Sequence, residues 1–270
     1  MKCEKENIRE LVKKKYGAIA NRDIQMAPLS CCGSSGCCSG LEFSMIGDEY
    51  QNVEGYNPDA DLGLGCGIPT QFAGIKKGDH LLDLGSGAGN DCFVARAIVG
   101  DTGKVTGLDF SDAMVHRAVE NAQKLGYSNI VFVKGDIEEM PFPDSTFDVI
   151  VSNCVLNLVP DKKNAFAEMM RVLKPSGHFC VSDVVLNGNL PEELKSDAEM
   201  YAGCVSGAIE ISEYLNIIEL QGFINITVHK QKEIRIPDEI MGKYLSVAES
   251  IRFKESDTGI FSITVSGYKN

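Results

Sequence analysis

The stretch that decides the fold is HLLDLGSGAGND, residues 80–91. Its short apolar run is followed by Asp83, Gly85, Gly87 and Gly89 in the pattern D-x-G-x-G-x-G, and then by a segment with helical periodicity from Asn90. Glycines between a strand and a helix permit a tight turn and bring the backbone close to a ligand beneath the helix N-terminus. A glycine pattern alone is compatible with any nucleotide-binding loop. Two acidic residues narrow it. Asp83 stands two positions before the first glycine, where a carboxylate can approach an amino-acid moiety, and Asp109 closes KVTGLD 20 residues past Gly89, suited to ribose hydroxyls. Outward from this stretch the alternation continues: a helix from Asp112, then NIVFVKGD, FDVIVSN and HFCVSDV as further strands. Strands alternating with helices imply a parallel sheet covered on both faces. Helix ISEYLNIIELQG, strand NITVHKQKEIRI and strand IFSITVSGYK complete the chain. A Rossmann dehydrogenase is the rival for such a loop, but neither a separate substrate domain nor a hydride-transfer histidine supports it.

Composition excludes several partners. Lys and Arg number 26 and Asp and Glu 38, a net charge of −12, which disfavours nucleic acid and anionic membrane surfaces alike. No apolar run approaches the ~20 residues of a transmembrane helix. The N-terminal MKCEKENIRELVKKKYG reads as an amphipathic helix and not a secretory signal, so the expected location is the cytoplasm. Ten cysteines are then unusual. In a reducing compartment thiols are core residues, ligands or catalytic groups rather than disulfides.

The cysteines are unevenly placed. Four lie in CCGSSGCC (Cys31, Cys32, Cys37 and Cys38), in a loop-rich stretch running to about residue 69. Cys92 and Cys180 fall within a helix and a strand and read as core. Cys154, in SNCVLNLVPDK (152–162), follows Asn153 at the carboxyl end of the fourth strand, where ligands sit in open α/β sheets. Cys66 in LGLGCGIP and Cys204 in YAGCVSGA are flanked by small residues that leave room around a thiol. Spacing alone leaves open whether these three converge or pack as core.

The glycine loop together with GDIEEMPFPDSTFDVIVSN resembles the class I S-adenosylmethionine-dependent methyltransferases over roughly residues 75–185. DLGSGAGNDCFV, SNCVLNLVPDK, LGLGCG and GCVSGA together resemble the arsenite S-adenosylmethionine methyltransferases over most of residues 25–225. The resemblance implies a Rossmann-like α/β sheet in the order 3-2-1-4-5-7-6 with the last strand antiparallel. It implies residues 1–74 as an N-terminal helix and Cys-rich arsenic-binding segment. Residues 75–270 follow as the cofactor-binding domain, with a helical cap near 191–212, and a further C-terminal domain of some members is absent. On that likeness Asp83, Gly85, Gly87 and Gly89 form the cofactor loop, Asp109 holds the ribose, Asp136 and Ile137 frame the adenine, and Asn153 lies near the methionine end. Cys66, Cys154 and Cys204 carry over as the arsenic-binding thiols, with a ligand among Cys31, Cys32, Cys37 and Cys38 left unassigned.

The implied activity is methylation of trivalent arsenic, free or as a thiol conjugate, to mono- and dimethyl products and at the limit trimethyl ones, serving detoxification. Soft thiolates suit arsenic, and antimonite is a competing ligand. The expected reductant is a glutathione-like thiol or thioredoxin, with a transient disulfide among the pocket cysteines. CCGSSGCC is open to three readings: a zinc site, poorly shaped by adjacent pairs; a flexible arm collecting arsenite; or inert surface thiols. Two rivals differ in class. A C- or O-methyltransferase acting on a quinone-like acceptor needs a base that His80, His116, His178 and His229 do not obviously supply. A thiol protein that stores or senses metalloid needs no cofactor. A monomer is the default.

Overall fold

The computed structural model describes residues 50–188, 190, 207–236, 238–256 and 258–270. Seven strands form one sheet in the order β3-β2-β1-β4-β5-β7-β6. They are β1 His80–Leu84, β2 Lys104–Asp109, β3 Ile130–Lys134, β4 Phe147–Asn153, β5 Leu173–Asn187, β6 Ile224–Ile234 and β7 Gly259–Tyr268. The first five pair in parallel, while β7 runs antiparallel to both β5 and β6. The strand order expected from the sequence is the one observed.

Side chains alternate across the sheet with period 2, and this divides the core in two. Leu81, Val149, Val151 and Cys180 face one layer with Cys92, Phe93 and Val99 of helix α1 (Asn90–Val99). Leu82, Leu84, Ile150, Phe179 and Val181 face the other, with Phe166 and Met169 of α3 (Lys162–Val172) and Tyr214 and Ile218 of α4 (Ile211–Leu220). Strands covered on both faces carry apolar residues on both sides, which is why HLLDL and FDVIVSN lack an alternating pattern. Helix α2 (Asp112–Leu125) packs on β2 and β3. It is capped by Ser111, whose side chain accepts from the Met114 amide, and ends on Gly126 at φ 70°, the left-handed stop that glycine adopts without cost.

Two features were not read from the sequence. Between β6 and β7 the chain forms two helices, α5 (Asp238–Tyr244) and α6 (Val247–Glu255), the second opened by a capping box of Ser246 and Glu249. Met241 of α5 is 3% exposed and packs in the same apolar cluster as Cys66 and Cys154. The helical cap expected near 191–212 lies mostly outside the described residues; within them, residues 207–210 are not helical and α4 begins at Ile211.

Candidate functional site

A cavity of about 540 Å³ opens at the carboxyl ends of β1, β2 and β4. Backbone bonds build its floor. The amides of Gly85 and Ser86 donate to the Leu108 carbonyl at 2.7 and 3.0 Å, which ties the glycine loop to the end of β2. The Gly87 amide donates to Asp109 Oδ2 at 3.0 Å, and Asp109 Oδ1 accepts from Ser111 at 2.9 Å. Gly85 and Gly87 have φ of 69° and 51°, and a Cβ on Gly85 would lie 2.4 Å from Val155 Cγ2. No side chain larger than hydrogen fits there.

Each residue singled out in the sequence has a place. Asp83, Gly85, Gly87, Asp109, Asp136, Ile137, Asn153 and Cys154 line the cavity. Gly89 does not: it is the N-cap of α1, and its missing Cβ leaves room for the rings of Phe93 and Phe132, both at 2.9 Å. It serves helix–sheet packing instead. Cys66 is also outside the lining, but is 2% exposed beside Cys154 in one apolar cluster. Cys204, Cys31, Cys32, Cys37 and Cys38, and the expected N-terminal helix, lie outside the described residues.

Cys154, the residue just after β4, has an unusual backbone state. Its φ is +59°, a region that costs a non-glycine residue energy and that clusters at functional sites. The surrounding structure enforces it: the Cys154 amide donates to the Ser182 carbonyl at 2.7 Å, extending the pairing of β4 with β5 past Asn153. Cys66 is held from two sides. Its amide donates to Asn153 Oδ1 at 3.0 Å, and its carbonyl accepts from Ser262 Oγ of β7 at 2.5 Å. Gly65 and Gly67 allow this approach, since a Cβ on either would fall 2.7 Å from Asn153 Nδ2 or 2.5 Å from Ser182 Oγ. The other two described cysteines differ. Burial pushes the Cys180 thiol up to about 12, and the Cys92 thiol, also raised by burial, donates to Asp83 Oδ2 at 3.2 Å. Neither lines the cavity.

The electrostatics of the cavity are anionic. Burial and the neighbouring Asp91 hold Asp83 well above the usual carboxylate range. Burial raises Asp91 to about 6, against hydrogen bonds from Tyr50 and Asn153. Asp109 is raised by burial, opposed by the amides of Ser111, Gly87 and Phe110. No cation lowers these three carboxylates, Lys134 at the cavity wall being paired with Asp112, and buried carboxylates so placed favour a ligand that brings one. Ser86 Oγ is buried at the cavity wall with no hydrogen-bond partner, a polar atom that a ligand can satisfy. A ligand with an ammonium, a sulfonium and vicinal hydroxyls fits this donor and acceptor set. Among the described residues no group of three or more His, Cys, Asp or Glu side chains is placed to hold a metal ion.

Several site residues escaped the sequence reading. Tyr50 lies in a loop with little periodicity, and Asp91 read only as the first turn of a helix; both line the cavity. Asp183 and Tyr214 form a buried pair, the Tyr214 hydroxyl donating to Asp183 Oδ2 at 3.0 Å. Burial raises Asp183 to about 6. Tyr214 is raised by burial, then by Asp183, and further by Cys66 and Cys154, so the phenol stands within electrostatic reach of both thiols. Only the order of these residues in the chain was visible beforehand, and it carries no sign of their proximity.

Comparison with known proteins follows the same lines. A methyltransferase-domain family matches residues 75–222. An arsenite methyltransferase of Halobacterium salinarum is 37% identical over 235 residues, covering 84% of this chain and 60% of its own length. One from Aquipseudomonas alcaligenes is 31% identical over 263 residues, covering 94% of this chain and 72% of its own. The crystal structure of an arsenic (III) S-adenosylmethionine methyltransferase from Chlamydomonas reinhardtii superposes with a TM-score of 0.63 at 34% identity, covering 76% of this chain and 67% of that one. This chain thus spans about three fifths of the Halobacterium relative. With the sheet order, the glycine loop and the two buried cysteines already in place, these likenesses show that the chain belongs to the arsenite methyltransferase family.

Proposed function

We propose that this protein methylates trivalent arsenic with S-adenosylmethionine, as a step in arsenic detoxification. The observation that carries the reading is Cys154. It lines the anionic cavity at the end of β4, in a constrained backbone state, with Cys66 packed in the same cluster. In the cavity Asp109 is assigned to the ribose hydroxyls, Asp136 and Ile137 to the adenine, and Asp83 and Asn153 to the methionine end. When bound, S-adenosylmethionine supplies a methyl group on a positively charged sulfur.

Cys66, Cys154 and Cys204 are assigned as the arsenic ligands. Their thiols displace the hydroxides of arsenite, each S–H proton leaving with hydroxide as water, and hold a pyramidal three-coordinate substrate with a lone pair. The protein's task is then to aim that lone pair along the line of displacement, and orientation of this sort can contribute about 7–11 kcal/mol. No base is required, since the nucleophile carries no proton. The apolar wall formed by Val184, Leu186, Ile260 and Met241 around the two thiols keeps water from competing. Each transfer formally oxidises arsenic, so a small thiol or thioredoxin is assigned the return to the trivalent state. A quinone-like acceptor is less well served: among the described residues no histidine lines the cavity. His80, His178 and His229 are engaged by Thr106, the Ala73 carbonyl and Ser266.

The test is a product assay. The protein is incubated with arsenite, S-adenosylmethionine and excess thiol, and soluble and volatile arsenic species are separated. Methylated arsenic from the parent, lost or stalled after one methyl in Cys66→Ser, Cys154→Ser and Cys204→Ser, is the expected result. A parent that binds the cofactor yet leaves arsenite unmethylated defeats the proposal and turns attention to an organic acceptor.

A further inference from the structure

One polar cluster touches both the cavity and the cysteine loop. Asn153 stands at its centre. Its Oδ1 accepts from the Cys66 amide at 3.0 Å, while its Nδ2 lies 2.8 Å from the Gly67 carbonyl, 3.1 Å from Asp91 Oδ2 and 2.7 Å from the Tyr50 hydroxyl. Tyr50 closes the ring, donating to Asp91 Oδ1 at 2.7 Å with the Gly67 carbonyl 3.1 Å away. Two amide hydrogens and one hydroxyl hydrogen are therefore distributed among the Asp91 carboxylate, the Gly67 carbonyl and the Tyr50 oxygen. How they divide depends on how strongly Asp91 accepts.

Asp91 is where a ligand can be felt. It lines the cavity in the first turn of α1, and no Lys or Arg partners it among its hydrogen bonds. The loop at the other end of the network carries Cys66 between Gly65 and Gly67, neither of which tolerates a Cβ against Asn153 or Ser182. That packing leaves the loop in one seating, set by the Asn153 amide on one side and Ser262 on the other.

We infer that Tyr50, Asp91 and Asn153 act as positioning residues that couple occupation of the cofactor cavity to the seating of the Cys66 loop. The inference rests on the reading of the cavity as the cofactor's. The ammonium of the amino-acid end, which S-adenosylmethionine and S-adenosylhomocysteine both carry, keeps the Asp91 carboxylate ionised when it lies beside it, which strengthens Asp91 as acceptor from Asn153 and Tyr50. Asn153, so oriented, presents Oδ1 to the Cys66 amide. The thiol is thereby held in place for substrate when the methyl donor is bound, and is looser without it. Coupling of this type is reciprocal in binding free energy.

The test needs no arsenic. Alkylation of individual cysteines by iodoacetamide is followed by peptide mass spectrometry, with and without saturating S-adenosylhomocysteine, whose binding is verified separately by calorimetry. Because Cys66 is buried and does not line the cavity, its alkylation reports local opening of the loop and not shielding by the ligand. In the parent the analogue is expected to slow Cys66 about tenfold, the scale of an ordinary coupling between sites. Tyr50→Phe and Asp91→Asn are expected to raise the basal rate and reduce the slowing to about twofold or less on the same scale. Ser262→Ala loosens the loop from the opposite side, and should raise the basal rate while keeping most of the response. Cys180, buried in β5, serves as the monitor of global opening and should not change.

Analogue that binds without protecting Cys66 in the parent, or full protection retained in Tyr50→Phe, overturns the coupling alone. Failure of the analogue to bind overturns it together with the cofactor reading. Absence of arsenic methylation with protection intact leaves the coupling supported and removes only the substrate.

Discussion

The two halves of the site are built differently. The floor of the cofactor half comes from contiguous chain, residues 83–91, pinned to the end of β2 by backbone amides and closed by Asp109. The cysteine half is assembled from pieces far apart: Cys66 before the sheet, Cys154 after β4, Ser262 on β7 and Met241 between β6 and β7. The first is polar and anionic; the second is apolar around two sulfurs. On the proposed function, the contrast suits the two ligands. A large flexible cation needs many directed contacts, whereas a small thiophilic centre needs two or three soft atoms and the exclusion of water. A local half can be broken by one residue of the loop, while an assembled half can be disturbed from several directions.

The largest effect is expected from Gly85→Ala. The position has φ +69° and its Cβ would meet Val155, so strain of about 1–3 kcal/mol and a displaced loop should combine. Affinity for S-adenosylhomocysteine measured by calorimetry should fall by about 100-fold or more, corresponding to roughly 2.7 kcal/mol. Retained affinity would show that the loop can yield, and would weaken the claim that the cofactor half is rigidly local.

Cys154→Ser should show the opposite pattern. Arsenic methylation should drop about 100-fold, while affinity for the cofactor analogue stays within about threefold, because the substitution leaves the glycine loop and its hydrogen bonds intact. Equal losses in both readouts would merge the two halves into one unit. Cys154→Gly, which relieves the positive φ but removes the sulfur, should match Cys154→Ser in activity. It should unfold at a higher denaturant concentration than Cys154→Ala, which loses the same sulfur and keeps the strain.

Proton linkage separates the halves by a smaller margin. Asp91 ordinarily titrates at 3.8 and is raised by burial to about 6. The folded protein thus holds a proton that the unfolded chain has released between those values. This contribution to stability is complete below about 3.8 and is lost as pH rises through about 6. A cation in the cavity favours the ionised form, so analogue binding should release protons and weaken as pH falls below about 6. Calorimetry in two buffers of different ionisation enthalpy reads this directly, and Asp91→Asn should reduce it, with Asp83 and Asp109, raised in the same cavity, supplying the remainder. Asp183, also raised to about 6 by burial, adds to the stability slope but should leave analogue affinity alone.

The smallest effect is reserved for Cys180→Ala. Its thiol is buried in the layer that holds α1 and does not line the cofactor cavity, so about 1 kcal/mol of stability should be lost with analogue affinity and methylation unchanged. A catalytic defect there would mean that thiol chemistry extends beyond the cluster of Cys66 and Cys154.

Much of the cofactor half was legible because its chemistry is local. Glycines at positive φ, an acidic residue before them and another at the next strand end occur at short, characteristic spacings. The limit of that legibility is Gly89, which looks like its neighbours in the motif but faces Phe93 and Phe132 rather than the cavity. A spacing rule cannot tell a glycine needed by a ligand from one needed by a ring. Tyr50 and Asp91 were missed for the complementary reason. Each is ordinary in its own segment, and their joint role exists only because Asn153, 103 positions from Tyr50, reaches both.

By itself the amino-acid sequence determined the alternation of strands and helices, the strand order through the resemblance it carries, the acidic surface, and which cysteines sit among small residues or at a strand end. These are properties of neighbours along the chain, governed by periodicity, backbone freedom and charge. Only the tertiary structure decided that Cys66 and Cys154 share one apolar cluster, that Met241 of α5 packs in it, and that Asn153 joins the Cys66 loop to Asp91. Contacts between segments depend on how sheet layers stack and how loops cross strand ends, and those are settled by packing of the whole core rather than by any short run of residues.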